Sequence, residues 1–178
     1  VVAFIYYPLL IYLFAKRITI KQFLAGIRQA QITAFSTSSS MATLPVTMEC
    51  VNDNLKVPKP IWSFVLPIGA TVNMDGTSTY QAVAVVAMAQ FHMIDLDFTQ
   101  QMVIVLTATL ASIGAAAVPS AGLVLMIVVL ESVGLNPAWI AIILPVDRIL
   151  DMCRTVVNVT GDATVSSIVA STEELEVT

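Results

Sequence analysis

A group of polar side chains recurs at helical spacing inside the otherwise apolar segment from Pro145 to Val169. At about 100° per residue, the group occupies a sector of roughly 100° on one helix face. Its members are Asp147, Asp151, Arg154, Thr155, Asn158 and Asp162. In membrane proteins, ionisable groups within apolar segments normally face a bundle interior or a water-filled cavity. The pattern therefore predicts that this face lines a path for a substrate or an ion.

Asp151 and Arg154 are the members of this face that could bind an amino acid. The planar fork of an arginine can hold a carboxylate through two parallel hydrogen bonds, and a neighbouring aspartate can receive an ammonium group. A neutral amino acid would leave the arginine unpaired, at a cost of about 1 to 3 kcal/mol. As a structural alternative, the two residues could simply neutralise each other at i, i+3 spacing. That alternative does not account for the acids at Asp75 and Asp162, whose spare negative charge suits a cation site.

The composition of the chain is that of an integral membrane protein. Of its 178 residues, 57% are hydrophobic and 11% are charged, unlike a soluble globular domain. The apolar stretches 61–91, 98–130 and 137–150 approach or exceed the roughly 20 residues that a helix needs to span a bilayer. A cluster of basic residues after the first apolar run predicts a cytoplasmic junction there: Lys16, Arg17, Lys21 and Arg28.

Interruptions divide the apolar stretches into half-length helices. A serine-rich tip at 36–40 separates two short segments and predicts a re-entrant hairpin. The stretch 61–91 is broken at Gly69 and again at 73–77, and polar backbone at such a depth is tolerated only where it is buried or lines a cavity. A second tip of small residues lies at 112–122. Paired interrupted segments of this kind indicate a transporter binding site near the bilayer midplane.

The sequence thus predicts an all-α membrane protein, with two re-entrant helical hairpins packed around a broken transmembrane helix and a polar-faced C-terminal transmembrane helix. We expect the end of a transmembrane helix (1–17), the first re-entrant hairpin (18–56), the broken helix (57–92), the second hairpin (98–134), the last transmembrane helix (137–170) and a tail (171–178). Because the chain opens inside an apolar run, we expect it to be the C-terminal part of a longer membrane protein.

Four motifs in this order make the chain resemble the glutamate/aspartate transporter family, the dicarboxylate/amino acid:cation symporters, in their transport-domain part. The motifs are SSSMATLP at 38–45, GATVNMDGT at 69–77, the segment 111–122, and DMCRTVVNVTGD at 151–162. The resemblance implies that the two hairpin tips meet around the substrate and that the second tip acts as a gate.

The resemblance also implies a set of substrate-binding residues. Asp151 would take the amino group and Arg154 the side-chain carboxylate, with Ser40 offering a main-chain contact. The remaining members of the substrate set would be Thr77, Val118, Gly122, Thr155 and Asn158.

Sodium would be the coupling ion, and no cofactor is implied. One site would use main-chain oxygens of Gly69, Asn73 and Asn158 with the Asp162 carboxylate. A second sodium would bind main-chain oxygens of Thr71, Ser112, Ile113 and Ala115. A third would use the side chains of Asn73 and Asp75, together with ligands from the part of the parent protein that we expect to be missing.

The sequence departs from the family pattern at three places. Met41 stands where many members have a serine, and neither Ser38 nor Met152 supplies the arginine that members carry at one of those two positions. Gln81 stands where proton- and potassium-coupled relatives have a glutamate. Because an amide does not titrate, we expect a sodium-driven cycle without obligatory proton or potassium movement.

The predicted function is sodium-coupled symport of aspartate or glutamate, by a multi-pass protein of the plasma membrane. A neutral amino acid carrier is disfavoured by Arg154, and a C4-dicarboxylate carrier by Asp151. An anion channel is a further alternative from another class. The single His92 lies beside no nucleophile, so we do not expect an enzyme.

The expected partners are the acidic amino acid, sodium and the lipid bilayer. No basic face suggests nucleic acid. The resemblance implies that the parent protein is a homotrimer, assembled through the part not present in this chain.

Overall fold

The computed structural model describes residues 1–15, 18–115 and 119–173, and within these ranges all regular secondary structure is helical, without strands. The α-helices are α1 (Tyr7–Phe14), α2 (Ile20–Gly26), α3 (Arg28–Thr37), α4 (Ser40–Glu49), α5 (Lys59–Val72), α6 (Asp75–Phe91), α7 (Phe98–Ile113), α8 (Ala121–Ser132) and α9 (Leu144–Thr172). Short π-helical turns occupy Val2–Tyr6 and Cys50–Asn54, and a 3₁₀ helix occupies Pro137–Ile142. The prediction of an all-α protein is thereby confirmed for the described residues.

The first pair of helices, α3 and α4, pack against each other and meet at a serine turn. Ser38 ends α3 in the left-handed conformation, with φ of 52°. The side chain of Ser39 then caps α4 by accepting a hydrogen bond from the amide of Ala42 at 3.1 Å. A serine oxygen at this position satisfies one of the free amides of the helix start, so the run of serines specifies where one helix stops and the next begins.

The break between α5 and α6 lies at Asn73 and Met74. Asn73 has ψ of 87° and Met74 has φ of −114°, so neither continues the helix. The two helix ends that meet here leave backbone carbonyls at the end of α5 and backbone amides at the start of α6 without intrahelical partners. Both helices pack against α9, and the amide of Gly76 donates to Oδ1 of Asn158 on that helix.

The second pair, α7 and α8, also pack against each other. Asp97 begins α7 with a reciprocal capping box to Gln100. Ser120 precedes α8 in the left-handed conformation, with φ of 61°. The part of the connecting tip at 116–118 lies outside the described residues, as do Lys16, Arg17 and the tail residues 174–178.

The longest helix, α9, packs against α1, α3, α5 and α6 and so holds the bundle together. The segment predicted as one helix over 137–170 consists of the 3₁₀ helix followed by α9, which begins at Leu144. Two apolar clusters pack around α9 and its neighbours, one centred on Val85, Met88, Ile104 and Leu130, and the other on Ile11, Phe23, Ile27 and Leu66. The polar face of α9 is buried between helices, and not at a free surface.

None of the helices in the described ranges is both long enough and apolar enough to span a membrane as one continuous segment. The described surface nevertheless carries many exposed large apolar side chains, including Phe4, Tyr12, Phe64, Phe91, Phe98, Leu106, Leu110 and Val124.

Candidate functional site

The candidate site is built on the buried polar face of α9, against the first turn of α6. Asp151 is 1% exposed, Arg154 is 4% exposed and Asn158 is fully buried. Gly76 allows α6 to approach α9 this closely, because a Cβ at that position would collide with the main-chain carbonyl oxygen of Arg154. The start of α6 therefore lies directly on the backbone of α9, and polar groups from both helices share one small volume.

Arg154 is held from two sides. Its Nε donates to Oδ1 of Asp151 in a buried ion pair, and its Nη1 donates to Oγ1 of Thr77 at 2.9 Å. Thr155 donates its hydroxyl to the main-chain oxygen of Asp151 at 2.9 Å and is also buried. Asp151, Arg154 and Thr155 thus each have a hydrogen-bond partner within the site.

Asn158 connects the two helices. Its Oδ1 accepts a hydrogen bond from the amide of Gly76 at 2.8 Å, which satisfies a free donor at the start of α6. Its Nδ2 lies 3.3 Å from Oγ1 of Thr77 and 3.2 Å from the sulfur of Met74. The amide side chain thereby fixes the helix break against α9.

The second helix pair reaches the same site through its tip. The amide of Ser120 donates to Oδ2 of Asp151 at 3.0 Å, and its hydroxyl donates to Oδ2 of Asp147 at 3.1 Å. Asp147 also accepts a hydrogen bond from Tyr80 at 2.7 Å. Both Asp147 and Asp151 therefore contact Ser120, the residue that immediately precedes α8.

Gly122 lies over the arginine, and its carbonyl is held by α6. A Cβ at Gly122 would be 3.1 Å from the methyl of Thr77 and 3.7 Å from Nε of Arg154. The carbonyl of Gly122 accepts a hydrogen bond from Nε2 of Gln81 at 2.8 Å. Gln81 is fully buried, and its Oε1 has no hydrogen-bond partner.

The serines of the first tip, Ser38, Ser39 and Ser40, are all buried. Ser40 is the first residue of α4, and the hydroxyls of Ser38 and Ser40 are buried without a hydrogen-bond partner. Val118, which the resemblance places in the substrate set, lies outside the described residues. Of the eight predicted substrate residues, Thr77, Gly122 and Asp151 lie next to the Arg154 side chain. Thr155 bonds Asp151, and Asn158 lies next to Thr77.

A second polar cluster lies about two turns further along α9. The amide of Asn73 donates to Oδ1 of Asp162 at 2.8 Å and lies 3.5 Å from the main-chain oxygen of Asn158. A Cβ at Gly69 would collide with the same Asp162 oxygen. These four residues are the set that the resemblance assigns to one sodium.

A cavity of about 440 Å³ adjoins this cluster. Among the residues lining it are Gly69, Asn73, Asp75, Ser112, Ile113 and Asp162. Two members of the proposed second sodium set, Thr71 and Ala115, are not among the residues that line it. Within the described ranges, no three histidine, cysteine or acidic side chains come together as a metal site. The carbonyl, amide and carboxylate oxygens present fit a small alkali cation, which prefers hard oxygen ligands.

The side chains in contact with these groups that were not predicted from the sequence include Tyr7, Tyr80 and Ser120. Tyr7 and Tyr80 stand in apolar segments, where a tyrosine is usual, and nothing in the spacing indicates that their hydroxyls reach acids 67 and 68 residues away. Ser120 follows a proline, and a serine in that position is typical of an ordinary turn. These contacts become visible only when the helices are assembled.

The sequence matches the family described as the sodium:dicarboxylate symporter family over residues 1–172. The chain belongs to this family. It is 53% identical over 147 residues to an excitatory amino acid transporter of Caenorhabditis elegans, a stretch that covers 83% of this chain and 29% of that protein. It is 54% identical over 147 residues to excitatory amino acid transporter 1 of Ambystoma tigrinum, covering 83% of this chain and 27% of that protein.

A third relative is described as a putative sodium-dependent excitatory amino acid transporter, also from Caenorhabditis elegans. It is 48% identical over 167 residues, covering 94% of this chain and 33% of that protein. The chain therefore spans about a third or less of the length of the curated relatives it matches. The family membership agrees with the resemblance in the four motifs.

Proposed function

We propose that this chain is the substrate- and sodium-binding part of a secondary transporter that moves an acidic amino acid, aspartate or glutamate, together with sodium. The observation that carries the proposal is the buried side-by-side arrangement of Asp151 and Arg154, with a cluster of cation-type oxygen ligands on the same face of α9. A transport role, and not an enzymatic one, is in keeping with the family and with the names of the relatives.

The substrate would exchange internal hydrogen bonds for equivalent ones. Its side-chain carboxylate would replace the Asp151 carboxylate as the partner of the Arg154 guanidinium, and its ammonium group would bind Asp151. When the substrate carboxylate takes over the Nη1 donor of Arg154, the hydroxyl of Thr77 is released from that bond. This hydroxyl and the amide of Asn158 would complete the polar lining of the substrate site. Because every group keeps a partner, the exchange avoids the cost of a buried unpaired charge, which a substrate without a second carboxylate could not avoid.

Sodium would bind next to this site through the groups gathered at the helix break. Asn73 and Asp162, with the carbonyls of Gly69 and Asn158, form one candidate set, and Asp75 adds a carboxylate at the same cavity. The second set at Thr71, Ser112, Ile113 and Ala115 is the less supported of the two, since only Ser112 and Ile113 line the cavity. Since Asn158 belongs to both the substrate and the sodium sets, occupancy of one site would favour the other.

The arrangement in the membrane is part of the same proposal. The pairs α3/α4 and α7/α8 would be re-entrant hairpins, and α5/α6 a broken transmembrane helix, in a multi-pass protein of the plasma membrane. The exposed apolar side chains support contact with lipid or with the rest of the protein. The tip that carries Ser120 would act as the gate, because the Ser120 amide competes with the substrate for Asp151. A homotrimer would assemble through the remainder of the protein.

Equilibrium binding to the full-length protein tests the assignment of substrate. We expect isothermal titration calorimetry to detect L-aspartate or L-glutamate binding in sodium chloride and none in choline chloride. Alanine and succinate, which each lack one of the required groups, should bind at least 100-fold more weakly. Tight binding of alanine or succinate, or aspartate binding that ignores sodium, would contradict the proposal.

A further inference from the structure

Tyr7 of α1 places its side chain at the candidate sodium ligands Asn73 and Asp75. It is 3% exposed, and its hydroxyl donates a hydrogen bond to Oδ2 of Asp75 at 2.7 Å. Asp75 is itself exposed, so its carboxylate does not need this partner to avoid a buried charge. The hydrogen bond therefore fixes the orientation of a carboxylate that water could otherwise solvate in any rotamer.

The surroundings of the hydroxyl tie it to the other sodium-type ligands. A Cβ at Gly161 would lie 2.5 Å from Oη of Tyr7 and 2.6 Å from Nδ2 of Asn73. The tyrosine hydroxyl and the asparagine amide thus rest on the same glycine of α9. Asn73 in turn donates to Asp162. One continuous chain of contacts therefore runs from Tyr7 to both acids.

We propose that Tyr7 is a positioning residue for sodium: by holding one oxygen of Asp75, it directs the other oxygen towards the cavity shared with Asn73 and Asp162. This inference rests on the proposed function only in taking Asp75 as a cation ligand. A charge-assisted hydrogen bond is well suited to the task, because it fixes direction without neutralising the carboxylate. A small cation gains most from ligands that need no reorientation when it binds.

Sodium titration of the full-length protein without any amino acid tests the inference. Tyr7→Phe removes a single oxygen, and Tyr6→Phe is the matched control, since Tyr6 is adjacent and 50% exposed. We expect calorimetry to show about tenfold weaker sodium binding for Tyr7→Phe and no change for Tyr6→Phe. Aspartate affinity at saturating sodium should change less than about twofold in both variants. In an Asp75→Asn background, adding Tyr7→Phe should weaken sodium binding by less than about twofold, because the tyrosine would then have no carboxylate to orient.

Other outcomes overturn the inference. Unchanged sodium affinity in Tyr7→Phe, or an equal loss of aspartate affinity at saturating sodium, would make Tyr7 a packing residue. A tenfold loss that persists in the Asp75→Asn background would do the same. If Tyr7→Phe does not fold, Tyr7→Leu, which also lacks the hydroxyl, takes its place and should weaken sodium binding similarly, with unchanged affinity counting against the inference. Sodium binding without aspartate binding in the unmodified protein would reject the proposed substrate and leave the role of Tyr7 standing.

Discussion

Arg154 shows how much a single residue of this chain determines. Its guanidinium is buried between α6, α8 and α9, with Asp151 and Thr77 as partners. An arginine remains charged in proteins, so this site carries a permanent positive group whose burial is tolerable only with anionic or hydroxyl partners. A substrate that brings its own carboxylate fits such a site, and one that does not must leave the internal ion pair in place.

Replacement of this arginine should change the substrate class. We expect Arg154→Cys to weaken aspartate binding by more than 100-fold and to permit neutral amino acids such as serine, because the bidentate partner of the second carboxylate is lost. Arg148→Cys on the exposed face of the same helix is the matched control and should leave both affinities unchanged. The measurement is calorimetric titration of the full-length protein in sodium chloride. Aspartate affinity close to that of the unmodified protein would show that Arg154 is structural.

At the scale of elements, the contact between α6 and α9 positions the whole site. The first turn of α6 lies against the backbone of α9 at Gly76, and the amide of Asn158 joins the two helices. The helix break supplies Asn73 to one polar cluster and Thr77 to the other. The break therefore sets the distance between the two clusters, and a change in how the helices approach should disturb both.

Adding a methyl group at Gly76 tests whether the close contact between α6 and α9 is needed. We expect Gly76→Ala to lower the stability of the full-length protein by about 1 to 3 kcal/mol, because its Cβ would overlap the carbonyl oxygen of Arg154. Gly114→Ala is the control, since among the described residues its Cβ would meet the oxygen of Ala111 alone, at an ordinary contact distance of 3.6 Å. Thermal unfolding followed by intrinsic fluorescence gives the comparison. An equal melting temperature for the two variants would mean that the helices can separate there without cost.

Gln81 links α6 to α8, and we expect its chemistry to bear on coupling. Its Nε2 donates to the carbonyl of Gly122, a bond that a glutamate could make only when protonated. We therefore expect Gln81→Glu to make uptake pH-dependent, with activity falling as the pH rises and the carboxyl ionises. Gln90→Glu, on the exposed end of the same helix, should leave the pH profile flat. A flat profile for Gln81→Glu would exclude a role for this position in coupling.

For the whole molecule, the sequence was informative wherever the pattern is local. The prediction of an all-helical protein followed from the lengths and interruptions of the apolar stretches. The resemblance to a symporter family followed from four motifs that each lie within 12 residues. Both are confirmed, by the described helices and by the family match over residues 1–172. The assignments of individual substrate and sodium residues remain predictions.

Contacts between distant segments could not be predicted in the same way. Tyr7 meets Asp75 across 68 residues, and Gln31 donates to Thr160 across 129. Periodicity identifies the buried face of a helix but does not say which helix covers it. The role of Ser120 was hidden for a related reason, because its bonds to Asp147 and Asp151 depend on where the second tip folds back.

Uptake by the full-length protein in proteoliposomes tests the central claim most directly. Radiolabelled L-aspartate would be followed with an inward sodium gradient, a proton gradient or internal potassium imposed one at a time. We expect concentrative uptake with the sodium gradient alone, abolished in Arg154→Cys and not stimulated by the other two gradients. Uptake driven by protons or potassium without sodium, or unaffected by Arg154→Cys, would contradict it.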